Sequence, residues 1–125
     1  MCSLIPGVKG LSENIEGVSI VDRFLEHSRV LIFCNDGNEL IFLSSADWME
    51  RNLDRRVEVT TPVFDSEVRA QLRNVIGQQL KGTAKARILD KEQKNKYKFE
   101  LNPKKEEYRS QIESYKYFKS LLSKE

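Results

Sequence analysis

Residues 30–43 read VLIFCNDGNELIFL, two apolar runs separated by Asn35-Asp36-Gly37-Asn38. Apolar, β-branched and aromatic residues bounded by such a cluster specify two short strands joined by a tight reversal. The spacing predicts strands over Arg29–Cys34 and Glu39–Leu43, antiparallel to one another. The returning strand alternates too little for a half-exposed strand, so it is expected to be buried on both faces. In an antiparallel pair the start of one strand lies beside the end of the other. Whatever precedes residue 30 is therefore brought next to whatever follows residue 43.

What the hairpin brings together is chemically suggestive. His27, the single histidine of the chain, stands two residues before Arg29, and in a strand positions i and i+2 share a face. Beyond residue 43 come Ser44, Ser45 and Asp47, then Arg51, Asn52, Arg55 and Arg56. A neutral imidazole can attack phosphorus or take a proton near pH 7. A neighbouring guanidinium neutralises phosphoryl oxygens with paired N–H donors. The Ser44 and Ser45 hydroxyls are expected to complete an anion cradle, with Asp47 orienting the imidazole through one ring nitrogen. Arg51, Arg55 and Arg56 are candidates to line a polyanion path, although exposed arginines commonly pair with nearby carboxylates to little effect. A histidine at an element boundary is, equally, often only half-buried and hydrogen-bonded. Trp48 reads as a core or interface anchor rather than a base-stacking platform.

Longer segments carry a resemblance. IPGVKGLSEN, SIVDRFLEHSRV, LSSADWMERNLDRRVEV, VFDSEVRAQL, TAKARILDKEQKNKY and SYKYFKSLL together resemble the C-terminal part of bacterial polyphosphate kinases of the long-chain-synthesising type, over nearly the whole chain. The resemblance implies an α/β phospholipase D-like half-domain, a mixed β-sheet flanked by helices with a long C-terminal helix. It also implies that the chain is the C-terminal fragment of a larger enzyme. That superfamily pairs a histidine and a lysine two residues apart with a downstream small-Ser-x-Asn. Here Arg29 stands where the lysine would be, and Ser44-Ser45-Ala46-Asp47 where Gly-Ser-x-Asn would be.

The function implied is reversible transfer of the terminal phosphate of ATP to inorganic polyphosphate, through a phosphohistidine outside this chain. His27 matches the family's second histidine, which contacts the ATP phosphates. Residue chemistry and resemblance together give an expected ATP- and phosphate-binding set of His27, Arg29, Ser44, Ser45, Arg51 and Arg55, with no protein metal ligands and Mg2+ arriving with ATP. Implied partners are ATP or ADP, polyphosphate, and the enzyme's upstream domains, in a cytoplasmic homo-oligomer without nucleic acid. Peripheral attachment to the inner membrane is left open. A phospholipase D-like phosphodiesterase or nuclease domain, or a non-catalytic polyphosphate-binding module, are the alternatives.

Composition bounds the rest. The chain has 125 residues, 32% charged, with 21 Lys and Arg against 19 Asp and Glu for a net charge of +2. That near balance argues neither for nor against nucleic acid, and basic residues gather locally at Arg51–Arg56 and Lys81–Lys105. No apolar stretch approaches a membrane span. Cys2 and Cys34 are isolated thiols without metal-ligand spacing, expected to be reduced. One domain is expected, with a lead-in loop over 1–14, an α/β core over 15–90, a lysine-rich loop over 91–105 and a helix over 106–123. Within the core, Ser19–Glu26 reads as a short helix and Arg56–Thr61 as a third strand ended by Pro62. A helix then runs from Asp65 or Ser66 to about Leu80, stopped by Gly82, and Ala84–Leu89 reads as a strand. Tyr108, Ile112, Tyr115, Phe118, Leu121 and Leu122 form the apolar stripe of the last helix, expected to be core or a docking face for other parts of the larger enzyme.

Overall fold

The computed structural model describes residues 5–101 and 107–123. Cys2, the 102–105 end of the lysine-rich loop and residue 106, the expected start of the last helix, lie outside the described residues. The chain forms an α/β structure of two compact units, residues 26–74 and residues 1–25 with 75–125. A helix, Ser66–Lys81, runs from one into the other.

The 26–74 unit is built on the hairpin. Strands β2 (Val30–Phe33) and β3 (Leu40–Ser44) pair antiparallel, with Val30 opposite Leu43 and Ile32 opposite Ile41. The reversal takes Asn35, Asp36 and Gly37 at positive φ, 45°, 53° and 85°. Asn, Asp and Gly are the residues that tolerate this conformation. The Asn35 side chain donates to the Asn38 carbonyl at 3.0 Å and locks the turn. Strand β4 (Thr60–Pro62) pairs with β3 on its other side, giving the order β2-β3-β4. It is shorter than the expected Arg56–Thr61 strand, and Pro62 belongs to it. A residue with no N–H is tolerated on an outer strand, where only one edge is paired. Between β3 and β4 lies one helical turn, α1 (Glu50–Leu53).

Burial departs from the expectation for β3. Ile41, in mid-sheet, is 2% exposed, while Leu40 and Leu43 on either side remain exposed. Full burial in this strand is confined to Ile41, and the rest of its near-continuous apolar run is half-buried or exposed. The first turns of α2 (Ser66–Lys81) are tied to the hairpin by arginines. Arg69 donates to the Glu39 carbonyl, and Arg73 lies 3.3 Å from the Glu39 carboxylate.

The second unit begins with a correction. Ser19–Glu26, expected to be helical, supplies the end of strand β1 (Gly17–Ile20) and then an irregular stretch. Strand β1 pairs antiparallel with β5 (Ala86–Leu89), Gly17 opposite Leu89 and Ile20 opposite Ala86. Two turns of helix are too short to stand alone, and β-branched Val18 and Ile20 gain a partner strand instead. Ala86 is completely buried. Helix α2 stops at Gly82, where a Cβ would come within 3.0 Å of the Gln79 carbonyl oxygen. Helix α3 (Ser110–Leu122) is pinned at its start by Thr83, whose N–H donates to the Tyr108 carbonyl and whose hydroxyl accepts from the Tyr108 N–H. Of the apolar stripe of the last helix, Ile112, Tyr115, Phe118 and Leu122 are exposed, so most of the stripe is not core, while Tyr108 and Leu121 are half-buried.

Candidate functional site

The hairpin register decides the site. Ser44 N–H donates to the Arg29 carbonyl at 2.9 Å, so the residue before β2 is bonded to the last residue of β3. Asp47, three residues on, places Oδ1 2.7 Å from Arg29 Nε and 3.3 Å from His27 Nε2. Arg29 Nη2 in turn lies 2.5 Å from His27 Nε2. His27, Arg29 and Asp47 therefore form one cluster at the edge of the sheet. Beside it opens a cleft of about 340 Å3, lined by Ser28, Arg29, Val30, Leu31, Ser44, Ala46, Asp47 and Trp48. Trp48 is 77% exposed, so in this structure it is a wall of the cleft and not a core anchor.

The electrostatics follow from these contacts. The hydrogen bond from Arg29, reinforced by its charge and by His27, holds the Asp47 carboxyl below its ordinary range. The same bond holds the Arg29 guanidinium charged. His27 Nε2 faces a donor and an acceptor together. When bare it accepts from Arg29, and when protonated it is drawn to Asp47. The imidazole thus stands beside a fixed cation, with a carboxylate in reach of the same ring nitrogen.

The serines are committed elsewhere. Ser45 Oγ donates to Glu58 and accepts from the Val59 N–H at 3.0 Å, and Ser45 N–H donates to the Val59 carbonyl. Ser44 Oγ lies 3.0 Å from Thr60 Oγ1 and accepts from the Ala46 N–H. Both hydroxyls hold the 44–47 turn in shape, and Ser44 also lines the cleft. Glu58 also accepts from Asn52 Nδ2 at 2.8 Å, and its carboxyl is held below its usual range chiefly by Ser45 and then Asn52. Asn52 is buried, with Oδ1 unpartnered among the described residues. By spacing alone, Glu58 is only one of the carboxylates near Arg55 and Arg56. Its pairing with Ser45 appears only once β4 lies against β3.

The structure does not draw all the candidate arginines to the cluster. Arg55 lies 3.7 Å from Glu50, and Arg51 and Arg55 make no described contact with His27, Arg29 or Asp47. Arg56 is close enough to Glu58 to help lower its pKa. Among the described residues no three His, Cys, Asp or Glu side chains converge as a metal site. The Asp47 carboxylate is engaged by Arg29 and His27, and that of Glu58 by Ser45 and Asn52.

The sequence profile of the polyphosphate kinase C-terminal domain 2 family matches residues 1–111. The chain belongs to that family. A polyphosphate kinase of Vibrio vulnificus strain YJ016 is 52% identical over 121 residues, 97% of this chain and 17% of the relative. That of Escherichia coli K12 is 49% identical over 121 residues, again 97% of this chain and 17% of the relative. The crystal structure of polyphosphate kinase from Porphyromonas gingivalis superposes with a TM-score of 0.92 at 38% identity, over 100% of this chain and 19% of that one. The chain thus spans less than a fifth of the length of these polyphosphate kinases. As a polyphosphate kinase C-terminal domain it has the expected α/β fold ending in a helix. Among the described residues no helix is long and apolar enough to cross a membrane.

Proposed function

We propose that this chain supplies one wall of the phosphoryl-transfer site of a polyphosphate kinase. The whole enzyme would transfer the terminal phosphate of ATP to inorganic polyphosphate, and run in reverse, through a phosphohistidine outside this chain. The observation that carries the reading is the His27–Arg29–Asp47 cluster beside an open cleft. Phosphoryl transfer asks little covalent chemistry of its protein and much positioning and charge stabilisation. Arg29, fixed through Nε, keeps further N–H donors for phosphoryl oxygens. His27 either stabilises charge on the transferring group or moves a proton as that group leaves ADP. Asp47 acts through both, holding the guanidinium and balancing the imidazolium. The ligand-facing set is His27 and Arg29, since Ser44 and Ser45 are used within the chain. Arg51 and Arg55 are reserved for the polyanion at a distance from the cluster.

Mg2+ enters this reading only with the nucleotide, not through ligands of this chain. The partners are ATP or ADP, polyphosphate and the upstream domains of the same polypeptide, with the enzyme a homo-oligomer in the cytoplasm. An arginine salt-bridged to aspartate replaces the lysine and asparagine of the phospholipase D pattern, which disfavours independent phosphodiester hydrolysis. The test is His27→Gln in a polyphosphate kinase carrying this chain. Polyphosphate synthesis should fall by roughly two to four orders of magnitude at unchanged Tm. Near-normal synthesis would reduce His27 to a structural residue.

A further inference from the structure

Between β3 and β4 the chain makes an excursion, residues 45–59, that carries Asp47 and has no apolar core of its own. Trp48, Met49, Leu53, Val57 and Val59 are exposed, and among the described residues of this stretch Asn52 alone is buried, 2% exposed. The base of the excursion is closed by Ser45, whose N–H donates to the Val59 carbonyl at 2.9 Å and whose Oγ accepts from the Val59 N–H at 3.0 Å. Inside it, Asn52 Nδ2 donates to Glu58 Oε1 at 2.8 Å, and Glu58 Oε2 accepts from Ser45 Oγ. One carboxylate thus links Asn52, on the single helical turn α1, to a residue two positions before Asp47. A carboxylate only accepts, so this contact fixes which end of the Asn52 amide is the donor. It leaves Oδ1 buried with no partner among the described residues.

We infer that Asn52 is a positioning residue for Asp47, stapling the excursion through Glu58 to Ser45 so that the Asp47 carboxylate meets Arg29 and His27. The inference rests on the phosphoryl-transfer reading of that cluster. A buried acceptor without a partner is destabilising, and fold stability by itself favours an apolar side chain of similar shape there. A group that weakens the fold points to a use for the rest of its side chain, here the Nδ2 donor. One helical turn does not stand alone, and no apolar packing holds the excursion. Without the staple it is tied only at its base and through Asp47 itself, and Asp47 must then order its own loop against the conformational entropy of that loop.

The experiment uses a polyphosphate kinase carrying this chain. Asn52→Leu keeps the branching of the side chain and deletes both amide groups, and Asn52→Ala deletes them with a side chain too small to clash. Each is made alone and together with Asp47→Asn, beside His27→Gln, and followed by steady-state kinetics and by hydrogen exchange of the 44–49 segment. Both Asn52 variants should speed that exchange and lower kcat about tenfold, the usual effect of losing a partner that orients a working group. Asn52→Leu should do so with a Tm no lower than the parent's. In the Asp47→Asn background neither should lower kcat further, since residues acting through one another are not additive. An additive loss in that background, unchanged exchange, or unchanged kcat would each overturn the inference. Loss of folded enzyme in both Asn52 variants would make Asn52 a packing residue and overturn it as well; loss in Asn52→Leu alone leaves Asn52→Ala to decide. If His27→Gln keeps near-normal kcat, the phosphoryl-transfer reading falls and the inference with it. If His27→Gln collapses while the Asn52 variants do not, the staple alone is refuted.

Discussion

Asp47 shows how much one residue can arrange. A single oxygen, Oδ1, lies within reach of both Arg29 Nε and His27 Nε2. Replacing it by asparagine keeps the size but removes the charge that fixes the guanidinium and balances the imidazolium. Asp47→Asn should lower kcat about ten- to a hundredfold, the usual effect of losing a partner that orients a working side chain. Thermal stability should hardly move, because the pair is partly exposed. A full loss of folded protein by circular dichroism would make Asp47 a structural residue instead. Since Arg29 holds the Asp47 carboxyl below its ordinary range, this group stays ionised through the acid side of neutrality. Any acid limb in the rate near pH 6 therefore belongs to another group.

At the scale of elements, the hairpin and the α3 attachment depend on different forces. Ile41 is the fully buried large side chain among the described residues of the β2-β3-β4 sheet, in register with Ile32. Ile41→Ala should cost about 2–5 kcal/mol, read as a lower urea midpoint at unchanged slope. A cost near zero would mean that the sheet closes over the gap. The α3 attachment is polar. Arg109, by hydrogen bond first and charge second, holds the Asp22 carboxyl below its ordinary range. A carboxyl whose pKa is depressed by folding adds stability above its unfolded pKa of 3.8, and that contribution fades as pH falls through the lower folded value. Asp22→Asn should therefore lower Tm at pH 7 by about 4 °C or more and flatten the loss of stability below pH 4. An acid limb as steep as the parent's would place that titration elsewhere.

The whole molecule leaves much apolar surface uncovered. Trp48, Val57, Phe64 and the outer stripe of α3 are exposed, whereas Ile41, Ala86 and Pro6 are the buried apolar side chains among the described residues. Exposed apolar surface on this scale marks interaction faces. It fits a chain that spans under a fifth of the polyphosphate kinases it matches. The purified 125 residues should bind a hydrophobic dye such as ANS and form no polyphosphate from ATP, because in-line transfer needs groups from both sides of the phosphate. Polyphosphate made by this chain alone would overturn the account of one wall.

The local sequence determined whatever depends on neighbouring residues. The Asn35–Asn38 reversal sets the hairpin register, and from that register followed the meeting of His27, Arg29 and Asp47. Helix α2, bounded by Asp65, Ser66 and Gly82, was legible for the same reason, since caps and breakers act within a few residues. Long motifs such as LSSADWMERNLDRRVEV carried the family. What sequence periodicity could not decide was which apolar residues would find a partner. Ile20 and Val21 fit a helix as well as a strand until β5 lies alongside, and the stripe of α3 is amphipathic whether or not anything covers it. Nor could spacing show that Ser45 is used by Glu58, or that Gln111 reaches Phe24 across 87 positions. Such pairings rest on contacts that exist only after the chain has folded, and tertiary structure alone decided them.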